Sequence, residues 1–331
     1  MLWKMKVVFR TRGNHKQGMG DVMGSLAIAD AYRDSNPRGT ITFVVDNDKE
    51  AIDAVLAKAY KVEVVENLDQ EIAHVREINP DVIVVNMFKN NIERLEYFKQ
   101  NTRLLVTIDD PSGAARWADI RINPLYYNDD AITDPAYVAL RKEFILANKI
   151  SKIIKEKVET ILVTQGGADT YGFIPKIIGA LCGIEKDCQI NVVIGPAFKH
   201  RKELKEAIDK SERSFNIIHN VANMCELMQQ SDLTITAGGN TMFELACVGV
   251  PGIVLCGEEF EEETADRMEK YGIVENLGFG GRASPEKIYE RVRLLMKYKN
   301  RRSEMSRRGQ ELVDGRGAER IVKLIKEHLG G

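Results

Sequence analysis

Three glycine-rich turns carry the residues whose types and spacing could do chemistry. The first reads Arg10-Thr-Arg-Gly-Asn-His15-Lys-Gln-Gly18-Met-Gly20-Asp21-Val-Met-Gly24-Ser25 and leads into an apolar helical pattern through Leu26, Ala27, Ala29 and Ala31. Glycines where a strand feeds a helix let a ligand approach the backbone, and the N–H groups of a first helical turn receive an anion. On such a turn the Asp21 carboxylate could act as a general base toward a water or a sugar hydroxyl. It could equally be an N-cap that accepts orphan N–H bonds. His15 on the same loop is a reserve base, or an exposed loop histidine. The second turn is Gln165-Gly166-Gly167-Ala168-Asp169, directly after a buried-strand pattern. In the third, Ala237-Gly238-Gly239-Asn240-Thr241-Met242-Phe243-Glu244, a strand ends, two glycines turn the chain and a helix opens. Its exposed amides suit a diphosphate. Glu244 lies one turn further in, placed for vicinal ribose hydroxyls. The plainer alternative is a simple Gly-Gly turn with Glu244 on a solvated helix face.

Asp46, closing the second strand pattern, mimics the acidic ribose contact of a dinucleotide fold. Against a nicotinamide-dependent oxidoreductase, Gly18-x-Gly20 continues with three residues before Gly24 where the dinucleotide fingerprint has two. Asp21 would also repel a pyrophosphate at that helix start.

Positioning these turns requires strands that end at them. Short β-branched runs alternate with amphipathic helical patterns along the chain, the signature of parallel sheets with crossover helices. The runs are Lys6–Arg10, Thr40–Val45, Val62–Val65, Asp81–Val85, Leu104–Ile108 and Asp119–Ile122, then Thr160–Thr164, Asn191–Ile194, Phe215–Ile218, Leu233–Thr236 and Gly252–Leu255. Two doubly wound α/β domains follow: an N-terminal Rossmann-like domain over 1–145, a linker over 146–158 and a C-terminal domain over 159–314. Ile321, Val322, Leu324, Ile325 and Leu329 give the tail, 315–331, a helical apolar face able to pack back on the first domain. Ligands in such folds sit at the carboxyl ends of strands, so parallel sheets facing a central cleft are expected.

Composition narrows the partners. The 331 residues carry 47 basic and 49 acidic side chains, a net charge of −2, so no long-range field gathers nucleic acid or an anionic membrane surface. The longest apolar run, around Leu245 to Gly257, contains Pro251 and is shorter than the ~18 residues of a membrane span. The N-terminus lacks a secretory pattern, and the expectation is a cytoplasmic protein without a transmembrane segment. Five cysteines without a C-x-x-C pair and five scattered histidines suggest neither disulfides nor a metal site.

At this point the sequence resembles a known group. Phe215–Asn223 with Met224-x-Glu226-Leu227-Met228, and then Ser231-Asp232-Leu-Thr-Ile-Thr-Ala-Gly238-Gly239-Asn-Thr-Met-Phe-Glu244-Leu-Ala-x-x-Gly249-Val-Pro251, looks like the MurG-like nucleotide-sugar half of GT-B enzymes. Within these it is most similar to the pseudaminic-acid pathway hydrolase that releases UDP from a UDP-2,4-diacetamido-2,4,6-trideoxyhexose, and to the spore-coat polysaccharide SpsG type. Ordered matches at Gly18-x-Gly20, Ile108-Asp109-Asp110, Ala118-Asp119-x-x-Ile122-Asn123, Leu140-Arg141-x-Glu143-Phe144, Gly166-Gly167-x-Asp169 and Asp314-Gly315-x-Gly317-Ala318-x-Arg320 extend the resemblance over most of the chain.

The resemblance implies that Gly238, Gly239, Asn240 and Thr241 hold the diphosphate and Glu244 the ribose. The loop of Asn220, Val221 and Met224 would hold the uracil, with Gly166, Gly167 and Asp169 also at the nucleotide. Gly18, Gly20 and the residue after them would face the sugar. Here the chain departs from the hydrolase pattern G-x-G-H-x-x-R, whose histidine is catalytic, by placing Asp21 and Gly24 in those positions. An aspartate there is similar to the catalytic Asp of the G-D motif in ADP-heptose heptosyltransferases. The polar Asn-Gln of many relatives is replaced by Glu258-Glu259-Phe260-Glu261-Glu262-Glu263, most simply a solvated helix start. Alternatively, that run repels anionic acceptors or recognises a cationic sugar substituent.

An aspartate with an ordinary pKa of ~3.9 stays ionised and only accepts a proton, whereas a histidine near ~6.5 also gives one. Acceptance suffices if UDP leaves unprotonated into helix amides. The expected activity is inverting cleavage of the anomeric C–O bond of a UDP-amino sugar in polysaccharide or nonulosonate biosynthesis, as a hydrolase. The alternatives are an inverting glycosyltransferase with Asp21 as base and a carbohydrate acceptor, or a non-catalytic nucleotide-sugar-binding protein. No cofactor and no metal are expected.

Overall fold

Strands that read as continuous Val, Ile and Leu runs must bury both faces, and in a parallel sheet the crossover helices provide the cover. The computed structural model describes residues 4–14, 18–127, 129–219, 221 and 223–330. The chain forms two units, Met1–Lys142 with Gly315–Gly331, and Glu143–Asp314.

The first unit runs β1 (Lys6–Thr11), α1 (Gly20–Ser35), β2 (Thr40–Asp46), α2 (Lys49–Ala57), β3 (Lys61–Val65), α3 (Leu68–Ile78), β4 (Val82–Asn86), α4 (Ile92–Gln100), β5 (Leu104–Ile108) and β6 (Ile120–Ile122). Its six strands lie in the order β3-β2-β1-β4-β5-β6, with every neighbouring pair parallel. Helix α5 (Lys142–Asn148) starts at the junction. The second unit continues with β7 (Thr160–Thr164), α6 (Phe173–Leu181), β8 (Gln189–Ile194), α7 (Arg201–Asp209), β9 (Asn216–His219) and α8 (Met224–Gln229). After these come β10 (Leu233–Thr236), α9 (Asn240–Val248), β11 (Gly252–Cys256), α10 (Glu262–Lys270), β12 (Val274–Phe279), α11 (Pro285–Lys297) and α12 (Lys299–Leu312). Its sheet has the order β12-β11-β10-β7-β8-β9, so each unit repeats the same dinucleotide-fold wiring.

Two local features differ from the sequence reading. Strand β12, Val-Glu-Asn-Leu-Gly-Phe, has no apolar run because the buried Glu275 is held by Arg291 from α11 and by Arg301 from α12. Residues 146–158, expected as a linker, lie within the second unit and are bonded into it. Asn148 Nδ2 donates to Cys247 O and Gln310 O, both at 3.0 Å. The fully buried Arg302 donates to Lys155 O at 2.7 Å and Glu156 O at 3.0 Å.

Helix α13 (Gly317–His328) belongs to the first unit. Its Ile321, Val322 and Ile325 share one apolar core with Leu26, Ile28 and Ala29 of α1. A Cβ on Gly317 would lie 2.1 Å from Val138 O, so the helix enters through a gap that admits no side chain. No helix among the described residues is long and apolar enough to cross a membrane.

Removing the fully buried Ile321 side chain leaves a cavity beneath α1, and such truncations cost about 2–5 kcal/mol. Trp117 falls in the first unit. Ile321→Ala should therefore lower the denaturant midpoint followed by tryptophan fluorescence; an unmoved midpoint would detach α13 from this core.

Candidate functional site

In each sheet the strand order reverses once, and a crevice opens at the carboxyl ends of the two strands that flank the reversal. In the first unit those strands are β1 and β4. Helix α1 opens there at Gly20 with Met19 in the N-cap position and no side-chain cap bond. Asp21 therefore sits inside the first turn and does not cap the helix. Gly18 has φ +92°, its N–H donates to Asn14 O at 2.8 Å, and a Cβ on it would meet nothing within 4 Å. Asn86, ending β4, donates from Nδ2 to the Asp21 carbonyl at 3.0 Å. A Cβ on Gly24 would stand 3.2 Å from the same Nδ2, so this position packs directly on Asn86. His15 lies outside the described residues.

Burial is the main influence on the Asp21 carboxyl and pushes its pKa up to about 6, opposed by a hydrogen bond from the Phe88 backbone and by the charge of Arg12. Arg12 is itself tied to that strand end, donating from Nη2 to Phe88 O at 2.6 Å. This corrects the expectation of an always-ionised aspartate: the proton affinity of Asp21 is close to that of a histidine.

A second carboxyl faces Asp21, and sequence reasoning had given it no role. Asp109 follows β5 in a left-handed backbone conformation, φ 51°, with Leu125 N–H donating to its Oδ1 at 3.1 Å. Burial, reinforced by the Asp21 charge, pushes Asp109 up to about 8 against that hydrogen bond. Its neighbour Asp110 is fully buried and accepts from Ser112 N–H at 2.9 Å and Asn90 Nδ2 at 2.9 Å, while Asn123 brackets its backbone. This clamp holds Asp109 in a conformation that non-glycine residues rarely adopt, and such strain concentrates at functional sites. The available signal was two adjacent acids directly after a buried strand. Asp46, by contrast, is paired at 2.6 Å with the buried Arg10, which also meets Glu71, so it belongs to an ion network and makes no ribose site.

In the second unit the reversal lies between β10 and β7. Gly239 occupies the N-cap of α9 without a side-chain cap, leaving Asn240, Thr241 and, one turn on, Glu244 half-buried along the helix start. Across the reversal, Gly166 has φ +67° with open space where a Cβ would point. The Gly167 carbonyl would lie 2.2 Å from a Cβ on Gly195, so two backbones meet there. Asp169 accepts from Phe173 N–H at 2.7 Å and Ile174 N–H at 2.9 Å, so each of its oxygens holds one of the first two N–H groups of α6, whose N-cap is Gly172. Val221 and Met224 precede and open α8, which packs beside α9, and Asn220 lies outside the described residues.

The acidic run is not simply a solvated helix start. Glu259 and Glu262 pair with Arg282, Glu258 accepts from Tyr171 Oη at 3.2 Å, and the Glu261 carboxylate turns inward onto backbone N–H groups.

Two Rossmann-like units, each with a glycine turn and a helix start at its switch point, define the GT-B architecture of the MurG type. Residues 146–311, half of the chain, match the family described as Protein of unknown function (DUF354), and the chain belongs to that family. The spore coat polysaccharide biosynthesis protein SpsG of Bacillus subtilis is 28% identical over 340 residues, covering 95% of this chain and 96% of that protein. An uncharacterized protein of Methanocaldococcus jannaschii is 29% identical over 280 residues, covering 79% of this chain; the chain spans only 58% of that relative's length. Among solved structures, the S. aureus MnaA–UDP complex has a TM-score of 0.69 at 13% identity, covering 98% of this chain and 97% of that one, which is a likeness of fold.

Asp21 holds its proton more tightly in the fold, at about 6, than at the ordinary aspartate value of 3.8, so ionising it costs folded-state stability. That cost is absent below pH ~4, grows as pH rises through ~6 and is then constant, amounting to about 1–3 kcal/mol after solvent screening. Asp21→Asn should thus raise the denaturant midpoint at pH 7.5 and leave it unchanged at pH 4. Equal effects at both values would deny the burial of the charge.

Proposed function

We propose that the protein cleaves the anomeric C–O bond of a UDP-sugar with inversion, in the synthesis of a polysaccharide or nonulosonate, with water as the nucleophile. The observation that carries this reading is Asp21 itself: burial gives it, in the place of the hydrolase histidine, the proton affinity that the histidine would have. The first unit supplies the proton-transfer groups and the second holds the nucleotide. Support for UDP comes from the uncapped α9 start, from Glu244 beside it, and from the UDP complex of a protein with the same fold. SpsG, similar over nearly the whole chain, supports the polysaccharide context.

Ionised Asp21 takes a proton from water as its oxygen bonds to the anomeric carbon. The C–O bond to the diphosphate breaks, its electron pair leaves with UDP, and the amides of Gly238, Gly239, Asn240 and Thr241 receive the charge. Asp109, still protonated at neutral pH, keeps the pair from carrying two charges. Its hydroxyl can donate to the attacking oxygen or to Asp21. The alternative, transfer to a sugar alcohol, is favoured by one observation in the first unit. A polar cavity of about 460 Å³, lined by Arg10, Arg12, Asp46, Asp48, Glu71 and Arg94, reaches the arginine whose charge Asp21 feels.

Incubation with a panel of UDP-, GDP-, CMP- and ADP-sugars tests the reading. UDP release without acceptor is expected; release only with an added alcohol would establish the transferase, and UDP binding without any release the non-catalytic alternative. Asp21→Asn should lower turnover by ~10²–10⁴, the usual general-base contribution. Because Asp21 must be ionised and Asp109 protonated, kcat/KM should rise through about pH 6 and fall through about pH 8, and Asp109→Asn should remove the alkaline limb. A pH-independent rate would remove both carboxyls from the chemistry. Losing a carboxylate that accepts ribose hydroxyls costs about 1.5–3 kcal/mol, so calorimetry on Glu244→Ala should show UDP bound roughly ten- to a hundredfold more weakly.

A further inference from the structure

The Gly238-Gly239 turn already holds an anion, supplied by the chain itself. Glu261 Oε2 accepts the N–H groups of Gly257 at 2.7 Å, Gly238 at 3.2 Å and Glu258 at 3.3 Å. Its other oxygen lies 3.6 Å from where a Cβ of Gly239, the N-cap of α9, would stand. A Cβ on Gly238 would come within 2.8 Å of the Glu261 Cβ and 3.1 Å of Oε2, so the bare glycine is what lets the carboxylate reach this position.

No cation pairs with Glu261 among the described residues. Arg282 is engaged by Glu259 and Glu262, Glu258 stands on the same turn, Asp266 lies on α10, and the Cys256 thiol packs against Gly238. Three backbone N–H groups and a helix start, with acids for neighbours, thus stabilise one negative charge. Burial raises the Glu261 pKa above its ordinary value, opposed by these same three hydrogen bonds.

We propose that Glu261 is an internal competitor of the substrate's diphosphate: its carboxylate occupies the amide cradle beside α9, and a nucleoside diphosphate binds only by expelling it. This rests on the reading of the Gly238–Thr241 turn as the diphosphate site. The Gly238 N–H that holds Glu261 is one of the donors assigned to the diphosphate, so it is lost to one anion when it serves the other, and two anions drawn to the same donor in a partly buried cradle repel. Affinity is then set by the difference between two anions competing for the Gly238 N–H. Expulsion would also free the turn from Gly257 to Glu261 to fold around the sugar.

The test compares Glu261→Gln with the wild type, and with Glu263→Gln, which neutralises an exposed acid of the same run. Calorimetry would be run with uridine, UMP and UDP. Glutamine keeps the shape and one acceptor oxygen but not the charge. Glu261→Gln should bind UDP at least tenfold more tightly than wild type, UMP by a smaller factor and uridine equally, while Glu263→Gln changes none of them more than twofold. Unchanged or weaker UDP binding by Glu261→Gln, with wild type still binding UDP, would overturn the competition and make Glu261 a substrate ligand or a plain turn brace. An equal gain in Glu263→Gln would reduce the effect to general surface charge. Failure of all three proteins to bind UDP would overturn the nucleotide site and the competition with it.

Discussion

A parallel sheet wired in the order 3-2-1-4-5-6 sends its first two crossover connections outward on one side of the first strand and the later ones outward on the other, and that reversal is the constraint on which the rest of the protein depends. No connection covers the strand ends where the direction changes, so a crevice is left there, bordered by a strand-to-helix turn. Both units carry this wiring. In the first, the crevice receives Asp21 from the turn after β1, with Asn86 at the end of β4 and Phe88 beyond it beside Asp21, and Asp109 after β5. In the second it receives the Gly238-Gly239 turn and the start of α9.

The two crevices have opposite electrostatic character. The first gathers carboxyls and buries them, which raises their proton affinities and costs stability; a clamp around Asp110 and Asn123 holds the geometry against that cost. The second offers backbone N–H groups, which attract negative charge without carrying a side-chain charge that must be desolvated. The acids near α9 fit the same logic, since all those of the run but Glu263 are drawn into pairs or onto the amide cradle.

The fold was legible because Val7–Phe9, Phe43–Val45 and Ile161–Val163 are uninterrupted apolar strands between amphipathic helices, a pattern with few alternative packings. β12 was not, because Glu275 is buried by partners on α11 and α12, far along the chain. At the sites, the sequence marked where chains turn but not how each acid is employed. Asp169 and Asp46 look alike in one dimension, and in the fold Asp169 accepts two N–H groups at the start of α6 while Asp46 pairs with Arg10. Asp21 looks like an ordinary carboxylate, and its raised pKa arises from tertiary burial that no local pattern encodes. Glu261 sits in an acidic run whose composition suggests solvent exposure, and only the glycine opposite it reveals its direction.

The most direct measurement is a residue-resolved amide NMR titration of the protein with UDP. The largest shifts should fall on Gly238, Gly239, Asn240 and Thr241, with Gly257 and Glu258 following as their acceptor is exchanged, and with small changes at the Arg10–Arg12 strand end. Saturable shifts confined to Arg10, Arg12 and the turn of Asp46 to Asp48, with α9 silent, would contradict the assignment and move the nucleotide to the other unit.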